Sequence, residues 1–263
     1  MSSPILYVLC GFTVGALVGL TGVGGGSLMT PILMFGFGQT SAMAVGTDLM
    51  FSASTKLVAT ASFGVSRRVD WRIVGRLVLG SVPAAGAVIL WFWMNDRAPR
   101  VEDHVISQCL AVILALAAAA VLTQSQLRRL GLHLAAAWLT GTERHKVLLT
   151  VVAGGLLGFG VAMTSAGAGA LGVAVLVALY PLRLTSDRLV ATDIAHALPV
   201  TAIAAVGHAV LGHVDLRALA CLLVGSIPGV LMATRAVIRL PHQLTRGLIA
   251  LTLALVSFRL FTE

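Results

Sequence analysis

The sequence predicts an all-α polytopic membrane protein. It is expected to be built from two inverted repeats of about five segments each, with short broken or re-entrant helices after Gly-rich breaks. Three observations carry this expectation. Charged residues are too few and too clustered for a water-soluble globule. Apolar runs of near-spanning length recur along the chain. The second half also repeats the rare polar residues of the first.

Of the 263 residues, 58% are apolar and only 11% are charged, whereas a soluble domain carries about 25% charged residues. Runs such as Leu77–Met94, Val105–Leu122, Leu189–Leu211 and Leu216–Ala236 approach the roughly 20 apolar residues that a bilayer crossing needs. The net charge of +8 comes from short clusters between these runs. No basic domain or aromatic platform is present, so nucleic acid is not an expected partner; the lipid bilayer is.

Ten apolar segments follow one another at about 5–20, 24–37, 41–63, 72–94, 104–122, 147–162, 167–181, 187–211, 215–236 and 243–261. Around Ile5–Gly19 there is no basic n-region and no small-residue cleavage site, so the first segment is expected to stay in the membrane. The second and seventh, 24–37 and 167–181, are short, and each follows a Gly-rich break. They either cross fully or form re-entrant hairpins. The long polar stretch Thr123–Lys146 divides the chain. The expected organisation is therefore a first transmembrane repeat over 1–122, a cytoplasmic connecting loop over 123–146 and a second, inverted repeat over 147–263.

The repeat is legible in the polar residues. Thr47–Pro83 aligns without gaps on Thr192–Pro228, matching Thr47 with Thr192, Asp48 with Asp193, Asp70 with Asp215, Arg72 with Arg217, Ser81 with Ser226 and Pro83 with Pro228. Matched Asp, Arg and Pro are informative in a chain where they are rare. Lys and Arg in loops set orientation. With the N-terminus outside, twelve of them from Arg67 to Arg246 face the cytoplasm, and only Arg97, Arg100, Arg217 and Arg259 lie outside. Both termini are thus expected on the periplasmic face of a bacterial inner membrane, and five segments per half leave the second half upside down. Such inverted repeats are a transporter architecture with the substrate site at their interface.

The candidate site begins at the breaks. The first is Thr21–Ser27, with Gly24, Gly25 and Gly26; the second is Gly160–Gly169, with Thr164, Ser165 and Gly167. Backbone polar groups freed within a membrane must line a cavity or find partners. A helix that starts after a break points its N–H groups and positive dipole end at that cavity. Two such ends, helped by the hydroxyls of Thr21, Ser27, Thr164 and Ser165, would cradle an anion. The alternative is that the glycines only let helices pack closely. A nucleotide-binding glycine loop is disfavoured: no strand precedes and no Lys-Ser/Thr follows.

Five ionisable residues sit inside apolar segments: Asp48, Lys56, Asp193, His196 and His208. Such residues are costly in a membrane and are functional candidates. Lys56, the first half's only lysine, shares a helical face with Asp48 and is either a cationic contact for the anion or an ion-pair partner for one Asp; the alternative is a snorkelling side chain. His196 and His208 are further contacts that can titrate near neutral pH, or else hydrogen-bonded interior histidines. Asp48 and Asp193 are candidates for proton coupling, or else N-caps of their helices. Asp70 and Asp215 read as interfacial N-caps. Pro83 and Pro228 are expected to kink their spans.

Cys10, Cys109 and Cys221 are scattered within apolar runs and read as small buried hydrophobes. No metal, cofactor or disulfide is expected. No His-Glu-x-x-His, Gly-x-Ser-x-Gly or Cys-x-x-Cys occurs, nor the Tyr-Asp and Gly-x-Gly-Asp pair of intramembrane aspartyl proteases, so no enzyme is expected.

The chain resembles the sulfite exporter TauE/SafE family of bacterial membrane proteins. The resemblance rests on GVGGGSLMTPIL at Gly22–Leu33, AVGTDL at Ala44–Leu49, Gly64 followed by Val69–Trp71, and GSVP at Gly80–Pro83. In the second half it rests on Ala191–Asp193, His208 with Gly212–Leu216, and Gly225–Gly229. It covers nearly the whole chain, although Ser165–Leu171 departs from the Gly-rich form. It implies transport, in the export direction, of sulfur-containing anions such as sulfite, sulfoacetate or other sulfonates. The residues favour a secondary carrier, with no ATP-binding motif visible, and a homodimer is compatible with them. The rival readings are a membrane assembly subunit that moves no solute, a carrier of a non-sulfur organic anion, and a channel.

Overall fold

A chain in hydrocarbon must satisfy every backbone N–H and C=O internally, so spans are helices. The computed structural model describes residues 3–21, 26–63, 69–95, 99–124, 126–129, 131–132, 143–166, 169–235, 254 and 257–258, and these are helical apart from short connections. In chain order they form α1 (Pro4–Thr21), α2 (Gly26–Pro31), α3 (Ser41–Phe63), α4 (Trp71–Asn95), α5 (Pro99–Leu122), α6 (Glu143–Thr164), α7 (Ala170–Leu179), α8 (Ser186–Val210) and α9 (Leu216–Arg235). The segments expected from hydropathy match these to within a few residues, the second being α2 continued by a π-helical turn over Ile32–Gly36. The expected tenth, 243–261, lies largely outside the described residues; within it Ser257 Oγ donates to the Ala111 carbonyl of α5 at 2.8 Å. The stretch expected as a polar connection is helical at 126–129, and Gly131 beside it leaves no room for a Cβ against the Ala178 carbonyl of α7.

Among the described residues, α4, α5, α6, α8 and α9 are long and apolar enough to cross a membrane. Large apolar side chains such as Leu79, Trp93, Leu156, Val210 and Val224 lie fully open on the helix faces. In water such a surface would aggregate; here it faces lipid. The protein is a multi-pass membrane protein. The 23-residue α3 is long enough to cross, but it carries Thr47, Asp48, Ser52, Thr55 and Lys56, all buried. Its neighbours α2, α5, α8 and α9 shield it from lipid.

The two halves interlock by contacts that come in exchanged pairs. Helix α1 packs along α9, and α4 along α6. Gly11 and Gly15 of α1 abut the backbone of Leu222 and Ser226, while Gly154 and Gly158 of α6 abut Leu77 and Ser81. Repeat-equivalent residues thus form the same Gly-x-x-x-Gly contact twice, and small residues let such helices approach closely. The Asp70 N–H donates to Thr192 Oγ1 at 3.1 Å and the Asp215 N–H to Thr47 Oγ1 at 2.9 Å, again one contact made in both directions. The helices α3 and α8 lie against each other between these pairs. Leu49, Phe92, Ile106, Val161 and Val200 bind α3, α4, α5, α6 and α8 into one buried cluster.

Local chemistry closes the helix ends. Gly212 adopts a left-handed conformation with φ of 78°, and the His213 N–H returns to the His208 carbonyl at 2.9 Å, a Schellman closure of α8. Asp215 caps α9 through the N–H groups of Arg217 and Ala218, both at 3.0 Å. Asp70 caps α4 more weakly, accepting from the Ile73 N–H at 3.4 Å, as the sequence suggests. Pro83 and Pro228 lie inside α4 and α9.

Two predictions arise from this packing. A Cβ at Gly158 would collide with the Ser81 backbone, whereas one at Gly75 meets nothing within 4 Å. Gly158→Val is therefore expected to destabilise the protein by about 1–3 kcal/mol, and Gly75→Ala to leave its melting temperature in detergent nearly unchanged; equal shifts would contradict the close approach. Asp70 also holds Arg183 by a fork, Nε to Oδ2 at 2.7 Å and the second nitrogen to Oδ1 at 3.1 Å. Because the Arg183 side chain is 45% exposed, Arg183→Ala is expected to cost about 1 kcal/mol or less, with the loss shrinking in high salt.

Candidate functional site

The polar residues that hydropathy leaves unexplained converge where α3 and α8 meet. Asp48 lies in the second turn of α3 and is fully buried, so it is not the N-cap that its position near the segment start allowed. Its carboxylate is held from two elements. The Thr30 N–H donates to Oδ2 at 3.1 Å and the Thr30 hydroxyl to the same oxygen at 2.5 Å, both from α2. Ser52, one turn on along α3, donates to Oδ1 at 3.2 Å. One buried carboxylate therefore ties the short helix after the first break to the central helix.

The repeat-equivalent Asp193 of α8 is equally buried, yet its Oδ1 has no hydrogen-bond partner. That oxygen rests on Gly172 of α7, where any Cβ would collide with it. The absence of a side chain at Gly172 makes the space that Asp193 occupies.

Lys56 is buried, and its Nζ also lacks a hydrogen-bond partner. Its ammonium lies in the electrostatic field of both carboxylates, Asp193 more strongly than Asp48. This is not a snorkelling lysine, since its head group sits among helices rather than at an exposed edge. His196, three residues after Asp193, is close enough to Lys56 for mutual repulsion, and its Nε2 hydrogen-bonds Ser81 Oγ of α4 at 3.0 Å. Ser81 is thus an interior hydroxyl that orients an imidazole. Its counterpart Ser226 is buried with its hydroxyl unpartnered; the position equivalent to His196 is Phe51, which offers no ring nitrogen.

The second break is present as a break. Helix α6 ends at Thr164 and α7 begins at Ala170. Between them Ser165 takes a left-handed φ of 60°, the only non-glycine residue to do so among those described. Such backbone is strained and persists only where its surroundings enforce it. Ser165 is fully buried and its hydroxyl has no hydrogen-bond partner, although it faces Asp48. Thr164 is engaged in closing α6, donating to the Gly160 carbonyl at 2.8 Å and accepting from the Ala166 N–H at 3.3 Å. At the first break Gly26 begins α2; Gly24, Gly25 and Gly167 lie outside the described residues, as do the side chains of Thr21 and Ser27.

His208 occupies a different neighbourhood. It follows His196 by twelve residues, about 18 Å along an α-helix. Its Nε2 meets the Ala162 carbonyl at 2.9 Å, its Nδ1 meets His213 at 3.4 Å, and its ring packs edge-on against Phe92. These contacts suit an interior structural histidine. The structure therefore brings together Asp48, Lys56, Ser165, Asp193 and His196, and sets Thr164 and His208 apart as helix-closing and packing groups. Sequence reasoning passed over Thr30, Ser52 and Gly172. Ser52 was findable, because it follows Asp48 by one helical turn; Thr30 and Gly172 gave no local signal.

Lys56 Nζ, Asp193 Oδ1 and Ser165 Oγ are buried without hydrogen-bond partners, and Lys56 lies in the field of both carboxylates, so cation and anion meet where α3 and α8 pack. This site can compensate the charge of a small anion and position its oxygens; it presents no nucleophile–base pair. A sequence model of the family described as Sulfite exporter TauE/SafE matches residues 7–260. The chain is 35% identical over 231 residues to the "Probable membrane transporter protein YjnA" of Bacillus subtilis (strain 168), covering 88% of this chain and 89% of that one. A "Probable membrane transporter protein" of Xylella fastidiosa (strain 9a5c) is 31% identical over 72 residues, 27% of this chain and 28% of that one. No solved structure matches.

Proposed function

The chain belongs to the sulfite exporter TauE/SafE family, and from that premise we propose that it is a secondary carrier, working outward, of small sulfur-containing anions. Sulfite, sulfoacetate and other organosulfonates across a bacterial inner membrane are the substrates we assign. The observation that carries this reading is the Lys56 ammonium, buried without a hydrogen-bond partner near His196 and within the field of Asp193 and Asp48. A desolvated ammonium whose three N–H donors are unmet is costly and is expected where a guest supplies the acceptors. The guest's oxygens would accept from Lys56 Nζ, Ser165 Oγ and His196. Sulfonates and sulfite offer three clustered oxygens for three such donors.

In this reading both termini face the periplasm, the halves are inverted and each rocks against the other around the site. The exchanged contacts between α1 and α9 and between α4 and α6 support the duplicated arrangement of the two halves around the site. An anion leaving a cell with a negative interior gains about 2.3 kcal/mol per charge per 100 mV, so outward movement needs no nucleotide.

The test is thermal stabilisation of the purified protein by sulfite, sulfoacetate, sulfate and simple carboxylates, followed by flux in sealed proteoliposomes. A ligand at about 100 times its Kd stabilises the folded form by about 2.7 kcal/mol. Sulfite or a sulfonate is expected to raise the melting temperature more than a carboxylate and to cross the liposome membrane. A protein stabilised by none of them and moving none would be an assembly subunit rather than a carrier.

A further inference from the structure

The inference that follows rests on the carrier reading above. We propose that the two repeat-equivalent carboxylates have unequal duties: Asp48 is a fixed scaffold, and Asp193 alone exchanges a proton, so that a sulfonate binds only together with one proton taken up on Asp193.

Asp48 accepts from the Thr30 N–H, the Thr30 hydroxyl and the Ser52 hydroxyl. Three donors aimed at one carboxylate favour its ionised form, and the Thr30 N–H among them can only donate. Asp193 has no donor on Oδ1, which lies on the bare face of Gly172. An orphan acceptor in a desolvated interior is costly, and a proton placed on that carboxylate removes the cost at its source.

The second step is charge. Asp193 is faced by Lys56 of α3 and by the bare backbone of Gly172 of α7; Lys56 in turn feels Asp48 on its own helix and His196 of α8, and Ser165 lies toward Asp48. With both carboxylates ionised and a neutral imidazole, one ammonium faces two negative charges. The empty site is then net negative, and an incoming anion is repelled. One proton on Asp193 leaves the Lys56 and Asp48 charges balanced and frees the ammonium from its stronger partner for the guest. The proton comes from the water that the site faces, forms an O–H bond on Asp193 as the anion enters, and returns to water when the anion leaves. Net charge moved per cycle falls by one, so a dianion such as sulfoacetate still leaves with one net charge that the membrane potential drives, and the proton carried with it couples transport to the proton gradient.

The sign follows from linkage. Where binding takes up a proton, affinity falls as pH rises, by about tenfold per unit on the alkaline side of the Asp193 titration. A sulfonate stays ionised throughout, so any proton taken up belongs to the protein. The experiment is calorimetry of sulfoacetate binding to the full chain in nanodiscs. It is run from about pH 6 to about pH 9 in buffers of different ionisation heat, which reads the protons exchanged. The wild type is expected to take up close to one proton at the alkaline end. Asp193→Asn is expected to bind with no uptake and with affinity independent of pH. If Asp193→Asn does not fold, Asp193→Glu must move the pH at which uptake occurs. Wild-type binding without uptake, uptake that persists in Asp193→Asn, or an unmoved midpoint in Asp193→Glu overturns the inference and leaves the carrier reading intact. No binding of sulfoacetate or sulfite at any pH overturns the carrier reading, and this inference with it.

Discussion

Lys56→Met is expected to yield a folded protein that has lost its anion. Lys56 Nζ makes no hydrogen bond within the protein, so its removal strands no hydrogen-bonding group, although Asp193 and Asp48 lose its compensating charge. Methionine fills a similar volume and adapts to irregular gaps. Of the two carboxylates it leaves, Asp193 can be neutralised by a proton, and Asp48 stays held by Thr30 and Ser52. The anion, by contrast, loses a charge-assisted hydrogen bond of about 2–3 kcal/mol, and its affinity falls by about a hundredfold. Flux of sulfite or sulfoacetate in proteoliposomes should drop to near the background of empty vesicles, with the melting temperature close to wild type. Normal flux in the folded variant would remove the central contact of the proposed carrier.

Asp48→Ala is expected to have the largest effect on stability. The change strands the Thr30 and Ser52 hydroxyls and the Thr30 N–H in the interior. It also severs the polar tie between α2 and α3. Hydrogen bonds to charged groups contribute about 1.5–3 kcal/mol each, and a net loss of about 3 kcal/mol or more follows even after part of that is recovered. Asp193→Ala strands no donor at Oδ1, and its loss of stability should be much smaller. For function, Asp193→Ala is expected to make anion binding independent of pH rather than to abolish it. Thermal unfolding of both variants in one detergent checks the order; equal destabilisation would mean that the two carboxylates are held alike.

Much of the fold was legible because its determinants are local. The ends of α1, α3, α4, α8 and α9 lie within a few residues of the apolar runs, since a helix in lipid ends where polar residues begin. The break before α7 was legible from small residues following a hydroxyl pair, and the structure ends α6 at Thr164. Among the site residues, Lys56, Asp48, Asp193 and His196 declared themselves by being ionisable within apolar runs. His208 met the same criterion and is bound instead to Ala162 and His213. Periodicity could not separate it from His196, because the difference lies in what each faces. Thr30 looked like an unremarkable residue beyond a break; its role comes from Asp48, 18 positions away in the chain.

Composition and the spacing of apolar runs were enough to establish a multi-pass helical membrane protein with a duplicated polar pattern and a buried charged centre. The physical reason is that insertion depends on how each stretch of about 20 residues partitions into hydrocarbon, which neighbours in sequence decide. The unequal fates of two Thr-Asp pairs were decided only in three dimensions. Asp48 meets Thr30 and Ser52, while Asp193 meets the bare backbone of Gly172. In an interior without water, a carboxylate's charge depends on which donors the fold brings to it, and helices that are distant in sequence supply or withhold them.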